Sequence, residues 1–474
     1  MTATARVILS FNDLLRATAG RVVTQPRGNG DISAAATDSR AVAAGSLFVA
    51  LPGERTDGHE FLGQAAAAGA AVLLIAESQA ARRASALAEL SSRFATGVVA
   101  VSDTLASLQA LARFHMGRLG SVTRVGVTGS NGKTTTKEII GSILGRAAPT
   151  AVNEGNLNSE IGLPVACLSV AATHRYAVLE MGMNHAGEMD VLADIVRPDA
   201  ALITNIGTAH IGLLGSQDAI AAEKKKIFKH FDGSQTGFVP ENEPYRSFLG
   251  EGVRGRFITF GTGSTPGYEG SESRGLGGTL IHWEGSPVRF PLFGRHNLAN
   301  ALGAISVARD LGIASQDIRD GLEAVAPLFG RSQVVEGPVT VIVDCYNANP
   351  DSMDESVSFF DSLPWQGRRI AVLGSMFELG TESARAHAAL GQRLRQTSFD
   401  AVFLFGEEME QAWKAVTGTA VENRGRWLTS LDAMGAALAD FVRPGDIVLL
   451  KGSRGLEMER FLPRLTGLNG GARC

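Results

Sequence analysis

The 474 residues are 45% hydrophobic and 19% charged with a formal net charge of -4, the balance of a globular chain long enough for about three domains. That charge argues against nucleic acid or an acidic membrane surface as partner, and the longest apolar stretch, AAAAGAAVLLIA from Ala65, is too short to span a bilayer. Cys167, Cys345 and Cys474 fall at no metal-ligand or redox spacing and no basic-then-apolar leader opens the chain, so a reducing, cytoplasmic setting is expected.

In chain order the pattern is α/β in three units: residues 1–102, 103–328 and 329–474. The first unit carries TDSR, where the Ser39 hydroxyl and Arg40 guanidinium suit a phosphate or pyrophosphate. HEFLGQAAAAGA then reads as an alanine-rich helix feeding a buried strand, AVLLIA.

The middle unit opens with RVGV, then TGSNGKTTT from Thr128 to Thr136, then KEIIGSILG with apolar residues at helical spacing. Strand, glycine loop and helix in that order make a phosphate cradle. Gly129 and Gly132 let backbone N–H groups turn inward, and the helix brings a partial positive charge to the same place. Lys133 reaches the outer phosphates and the Thr134 hydroxyl holds Mg²⁺. The loop is shorter than the common form, with two residues between its glycines and Val127 where a first glycine usually stands.

YAVLEMG and AALITNIG read as further strands, ending in Glu180 and running into His210. In an open parallel sheet, ligands lie beyond the carboxyl ends of the strands, so Lys133, Glu180 and His210 are expected together. The polar segment TAVNEGNLNSEIGLP between them holds Asn153, Asn156 and Asn158 and has the look of a binding loop. FITFGTG, TLIHWEG and PVRFPLFG read as short strands at hairpin spacing, followed by a long helix from Gly294 with Asn297 and Asn300 on one side.

The third unit alternates again, with TVIVDCY, RIAVLGS, AVFLFGE and DIVLLKGSRG as strands. It is Rossmann-like in outline, but no G-x-G-x-x-G follows any strand, which argues against a dinucleotide cofactor. Asp344 and Lys451 each close a strand. These residues suffice for a Mg²⁺-ATP site and leave the phosphoryl acceptor open: water, a hydroxyl or a carboxylate.

Taken together, TDSR, TGSNGKTTT, NEGNLNSEIGLP, LEMGMNHAGEMD, TNIGTAHIGLLGS, AEKKKIF, GRHNLANA, YNANPDSM, VLGSMFELG and KGSRGLEME resemble the Mur ligase family of peptidoglycan synthesis, in the family's order and over nearly the whole chain. The resemblance implies a small α/β first domain gripping a UDP-sugar peptide, a central P-loop ATPase-like domain with a mostly parallel sheet, and a Rossmann-like third domain that closes over ATP and binds the incoming dipeptide. Its nearest activity is the addition of D-alanyl-D-alanine to UDP-N-acetylmuramoyl-tripeptide through an acyl phosphate, by a monomer. The family's DNPR signature for a diamino acid is absent, and YNANPDSM stands instead.

By the same resemblance, Gly129, Ser130, Asn131, Gly132, Lys133, Thr134 and Thr135 hold the triphosphate, and His296, Asn297 and Asn300 the adenine side. Arg331 reaches the phosphates and Asp344 the ribose. Thr134, Glu180, His210 and a CO₂-derived carbamate on Lys224 hold Mg²⁺, with Lys133, Glu180, His210 and Lys224 catalytic. Ser39, Arg40, Asn156, Asn158, Asn347, Asn349 and Lys451 contact the substrates. The alternatives are a family member of other specificity, or a nucleotide-dependent switch that transfers nothing to a carboxylate.

Overall fold

Runs of aliphatic and β-branched residues, each followed by an amphipathic helix, build three sheets along the chain. The computed structural model describes residues 7–53 and 56–467, so Cys474 lies outside the described residues. The first sheet holds β1 (Arg21–Thr24), β2 (Ala34–Ala36), β3 (Ser46–Val49), β4 (Val72–Ala76) and β5 (Gly97–Val101) in the order β1-β5-β4-β3-β2. Only β1 runs antiparallel to its neighbour.

The helix Thr104–Arg118, started by the Asp103 carboxylate accepting from Ala106 N–H at 2.9 Å, joins this sheet to the next. Its Leu108, Leu111, Ala112 and Met116 are fully buried in one core with Leu47, Val72 and Val99 of the first sheet and Leu163, Leu179 and Leu192 of the central unit. Each such leucine contributes roughly 1.5–3 kcal/mol of burial, so the helix fixes the first unit against the second.

The central sheet comprises β6 (Thr123–Thr128), β7 (Thr150–Val152), β8 (Tyr176–Glu180), β9 (Ala200–Ile203), β10 (Asp232–Pro240) and β11 (Arg254–Phe260), ordered β11-β10-β9-β6-β8-β7 and parallel throughout. Strand β6 lies between β8 and β9, where successive crossovers pass to opposite sides. This is the switch point at which such sheets bind ligands.

The hairpin reading of FITFGTG is corrected: this segment is β11, parallel to β10, because the helix Arg246–Gly250 returns the chain before the strand begins. The hairpin signal belongs to β12 (Tyr268–Ser273), β13 (Thr279–Trp283) and β14 (Ser286–Phe290), an antiparallel sheet. The helix Arg295–Asp310 follows, buried along Ala301, Leu302, Ala304 and Ile305.

The third sheet contains β15 (Gln333–Val335), β16 (Thr340–Asp344), β17 (Arg369–Gly374), β18 (Ala401–Phe405), β19 (Gly425–Leu428) and β20 (Ile447–Lys451) in the order β15-β16-β20-β17-β18-β19. All its pairs are parallel except β15 with β16. Stacking of Phe293 on Phe359, with ring centroids 4.5 Å apart and 15° between planes, ties this unit to the end of the central one. Among the described residues no helix is long and apolar enough to cross a membrane.

Candidate active site

The loop after β6 turns sharply because Gly129 and Gly132 take φ of 145° and 80°, backbone that a residue with a Cβ adopts only under strain. Side chains from elsewhere also leave no space there: a Cβ at Gly129 would strike Thr204, and one at Gly132 would strike Asn300. The segment after β9 clamps the loop from the other side. Asn205 accepts from Asn131 N–H through Oδ1 at 3.0 Å and donates from Nδ2 to Asn131 O at 3.0 Å, while Gly207 N–H donates to Ser130 Oγ at 2.8 Å. The clamp holds the loop's N–H groups in the concave arrangement that oxyanions need.

Lys133 opens the helix Lys133–Ala147 and donates to the carbonyls of Gly129 at 2.9 Å and Ser130 at 3.2 Å. Burial lowers its ammonium below the usual lysine range; Glu180 opposes that shift and Arg331 adds to it. Thr134 and Thr135 occupy the next positions of the helix, Thr134 buried.

Lys224, on the helix Gln217–Lys225, is 1% exposed and donates to the same Gly129 carbonyl at 2.9 Å. Burial, then the neighbouring Lys133, push it well below the usual lysine value against the pull of Glu223. The other two lysines of the run face outward. Lys225 lies over the Phe248 ring at 4.5 Å, and Lys226 pairs with Asp190 and Glu223, each at 2.7 Å.

Glu180 ends β8 opposite Val127 and is 1% exposed. Its Oε1 accepts from Asn158 Nδ2 at 2.7 Å, and its Oε2 is buried without a hydrogen-bond partner. A buried bare carboxylate oxygen beside the phosphate loop fits a hard cation, as does the all-oxygen and imidazole donor set of Thr134, Glu180 and His210. Among the described residues no three of His, Cys, Asp or Glu converge into a ready-made metal cage. His210 follows β9, and its Nδ1 lies 2.7 Å from Glu378 Oε2 of the third unit.

Several predicted contacts have other partners here. Asn158, expected on substrate, donates to Glu180 and so orients that carboxylate. Asn349, also expected on substrate, caps the helix Pro350–Ser362 by accepting from Ser352 N–H at 2.9 Å, and trades hydrogen bonds with Asn131: Asn349 Nδ2 to Asn131 Oδ1 at 2.7 Å and the return at 3.3 Å. Asp344, expected at the ribose, is held by Lys451 at 2.9 Å, Ser356 Oγ at 2.6 Å and Ser332 N–H at 3.1 Å. Lys451 also donates to Asn347 O at 3.1 Å.

Asn297 donates to Phe293 O at 2.8 Å and accepts from Asn300 at 3.3 Å. Asn300 thus stands against Gly132, at the edge of the phosphate loop. His296 is half-buried, with its Nδ1 out of solvent and unpartnered, and desolvation lowers it below the usual histidine range against Asp344 and Glu355. Arg331 stacks on Tyr346 at 4.0 Å. Asn156 sits in the turn before Asn158, its backbone carbonyl accepting from Asn158 N–H at 2.7 Å. Ser39 and Arg40 lie in a short turn of the first unit, where Ser39 donates to Gln64 at 3.1 Å and Arg40, 88% exposed, forks onto Asp38.

Sequence reasoning missed Asn205, Lys137 and Glu378. Lys137 is fully buried one helical turn after Lys133 and donates to Asn153 O at 2.6 Å. Asn153 in turn clasps the Glu180 backbone, accepting from its N–H at 2.8 Å and donating to its C=O at 3.2 Å. The helical spacing of the two lysines was the available signal.

Three family profiles match the chain: "Mur ligase family, catalytic domain" over residues 31–115, "Mur ligase middle domain" over 127–308 and "Mur ligase, glutamate ligase domain" over 330–454. The chain is similar to the UDP-N-acetylmuramoyl-tripeptide--D-alanyl-D-alanine ligase of Treponema pallidum (strain Nichols), 39% identical over 97% of this chain and 99% of that protein. The enzyme of the same description from Bacillus subtilis (strain 168) is 34% identical over 92% and 93%. Among solved structures, MurF from Acinetobacter baumannii aligns with TM-score 0.83 at 31% identity, covering 96% of this chain and 98% of that one. MurF ligase from Thermotoga maritima in complex with ADP aligns with TM-score 0.76 at 28% identity, covering 92% and 97%.

Proposed function

Because the chain belongs to the Mur ligase family, we propose that it is an ATP-dependent ligase that joins D-alanyl-D-alanine to UDP-N-acetylmuramoyl-tripeptide, making the pentapeptide precursor of peptidoglycan in the cytoplasm. The observation that carries this is the convergence of Lys133, Lys224 and the bare oxygen of Glu180 at the carboxyl edge of the central sheet, in a chain whose likeness to such ligases runs almost end to end.

The tripeptide's terminal carboxylate attacks the γ-phosphorus of ATP, forming an acyl O–P bond as the bridging P–O bond to ADP breaks. The amino group of the dipeptide then attacks the acyl carbon. The new C–N bond replaces the C–O bond to phosphate, the amine proton passes to solvent, and phosphate leaves carrying one carboxylate oxygen. Lys133 supplies fixed positive charge to the transferring oxygens, and catalysis is largely positioning and electrostatics.

Mg²⁺, held by Thr134, Glu180, His210 and a carbamate on Lys224, adds positive charge at the same oxygens when bound. The depressed Lys224 ammonium supports the carbamate, since only a neutral amine attacks CO₂: an N–C bond forms, one C=O becomes C–O⁻ and a proton is lost. Residues 1–102 take the UDP end of the substrate through Ser39 and Arg40, 103–328 take ATP, and 329–474 close over it with Arg331 and receive the dipeptide. Asn156 and the Asn347 loop border the reacting groups, His296, Asn297 and Asn300 the adenine, and the working unit is a monomer.

Two measurements test the proposal. Phosphate release from ATP requires both the nucleotide-linked tripeptide and the dipeptide; release indifferent to them indicates a switch protein instead. Oxygen-18 in the tripeptide carboxylate passes into the released phosphate, and its absence there rules out the acyl phosphate.

A further inference from the structure

The contact between His210 and Glu378 crosses from the central unit to the third one, joining residues 168 positions apart. The loops carrying them meet backbone to backbone. Gly212 N–H donates to Glu378 O at 3.0 Å, a Cβ at Gly212 would run into Glu378–Gly380, and one at Gly380 would run into Gly212. His210 and Glu378 both take φ of 64°, left-handed backbone that persists in residues with a Cβ only where the surroundings over-determine it, and that gathers at functional sites. Buried Met376 and Leu379 anchor the Glu378 loop in the third unit's core.

An ionised carboxylate accepts hydrogen bonds and cannot donate, so a carboxylate at Nδ1 makes that nitrogen the N–H and leaves the lone pair on Nε2. We propose that Glu378 is a positioning residue: it fixes the tautomer and orientation of the His210 ring, and it does so only when the third unit is docked on the central one. A carboxylate behind a ligating histidine is a device that raises the ring's basicity and holds its aim. Here the carboxylate arrives on a different unit, so docking of that unit and cation affinity are linked: each strengthens the other. The inference rests on His210 being a cation ligand.

The test uses the full chain with ADP and Mn²⁺, titrating free Mn²⁺ by electron paramagnetic resonance. Glu378→Ala weakens Mn²⁺ binding by about 10–100-fold. Glu378→Gln, whose amide oxygen still accepts from Nδ1–H, loses less. The double variant Glu378→Ala with His210→Ala binds no more weakly than His210→Ala alone, because the carboxylate acts through the ring. Wild-type affinity in Glu378→Ala, or losses that add in the double variant, overturns the positioning role and leaves His210 as a ligand. Unchanged affinity in His210→Ala overturns the ligand reading itself, and this inference with it.

Discussion

Lys133 and Lys224 donate to one oxygen, the carbonyl of Gly129, each at 2.9 Å. Burial first, and then repulsion from the neighbouring Lys133, hold the Lys224 ammonium well below the usual lysine range.

From this pairing, Lys224→Ala is expected to lower the rate of phosphate release by about 10²–10³-fold, the scale of losing one preorganised electrostatic group. Short carboxylic acids supplied in solution restore part of the rate by standing where the carbamate oxygens stood. Lys133→Ala loses as much and is not restored. Carbon-13 CO₂ gives a carbamate resonance in the wild type that is missing from Lys224→Ala. A wild-type rate in Lys224→Ala removes Lys224 from the mechanism.

Asn349 carries two duties, as helix cap and as partner of Asn131. Replacing it with alanine costs about 0.5–2 kcal/mol for the cap alone. A double-mutant cycle with Asn131→Ala isolates the amide pair, expected at roughly 0.5–1.5 kcal/mol. Urea midpoints measure both, and a coupling of zero means that the pair does not hold the third unit to the phosphate loop.

Asp344 governs the acid limb of stability. Burial by itself raises its carboxyl, but Lys451 and Ser356 override this and leave it below the ordinary 3.8. A carboxyl lower in the folded than in the unfolded chain adds stability that is fully present above its unfolded value. That stability is lost as pH falls through the folded value, so the window lies below about pH 4. Asp344→Asn leaves Lys451 buried without its counter-charge, costing about 3–5 kcal/mol at neutral pH, and flattens the acid limb. Urea unfolding followed by fluorescence of Trp365, Trp413 and Trp427 from pH 2 to 6 reads this out; parallel acid limbs in the two proteins assign the effect to another group.

The elements that could be read from residues alone were those with local causes. Gly129 and Gly132 are demanded by the turn they make, and Glu180 and the His210 loop follow from where an apolar run ends. The parallel order of β11 was misread because a strand's direction is set by the crossover before it, here a five-residue helix too short to show a period. That Asn158 meets Glu180, Asn349 meets Asn131 and Lys451 meets Asp344 was not legible in the sequence, because amides and ammonium groups near a strand end look alike whether they serve a ligand or the fold.

From the order of its residues the chain determined a phosphate loop between strand and helix, three α/β units and the kinds of group at each strand end, since those depend on φ preferences and on apolar period within a few residues. Only the tertiary structure decided which groups meet: Lys224 with Gly129, 95 residues away, Asn131 with Asn349, 218 away, and His210 with Glu378, 168 away. A hydrogen bond needs its partners within about 3 Å, and at such separations along the chain that distance is set by how sheets and helices pack, which no local stretch encodes.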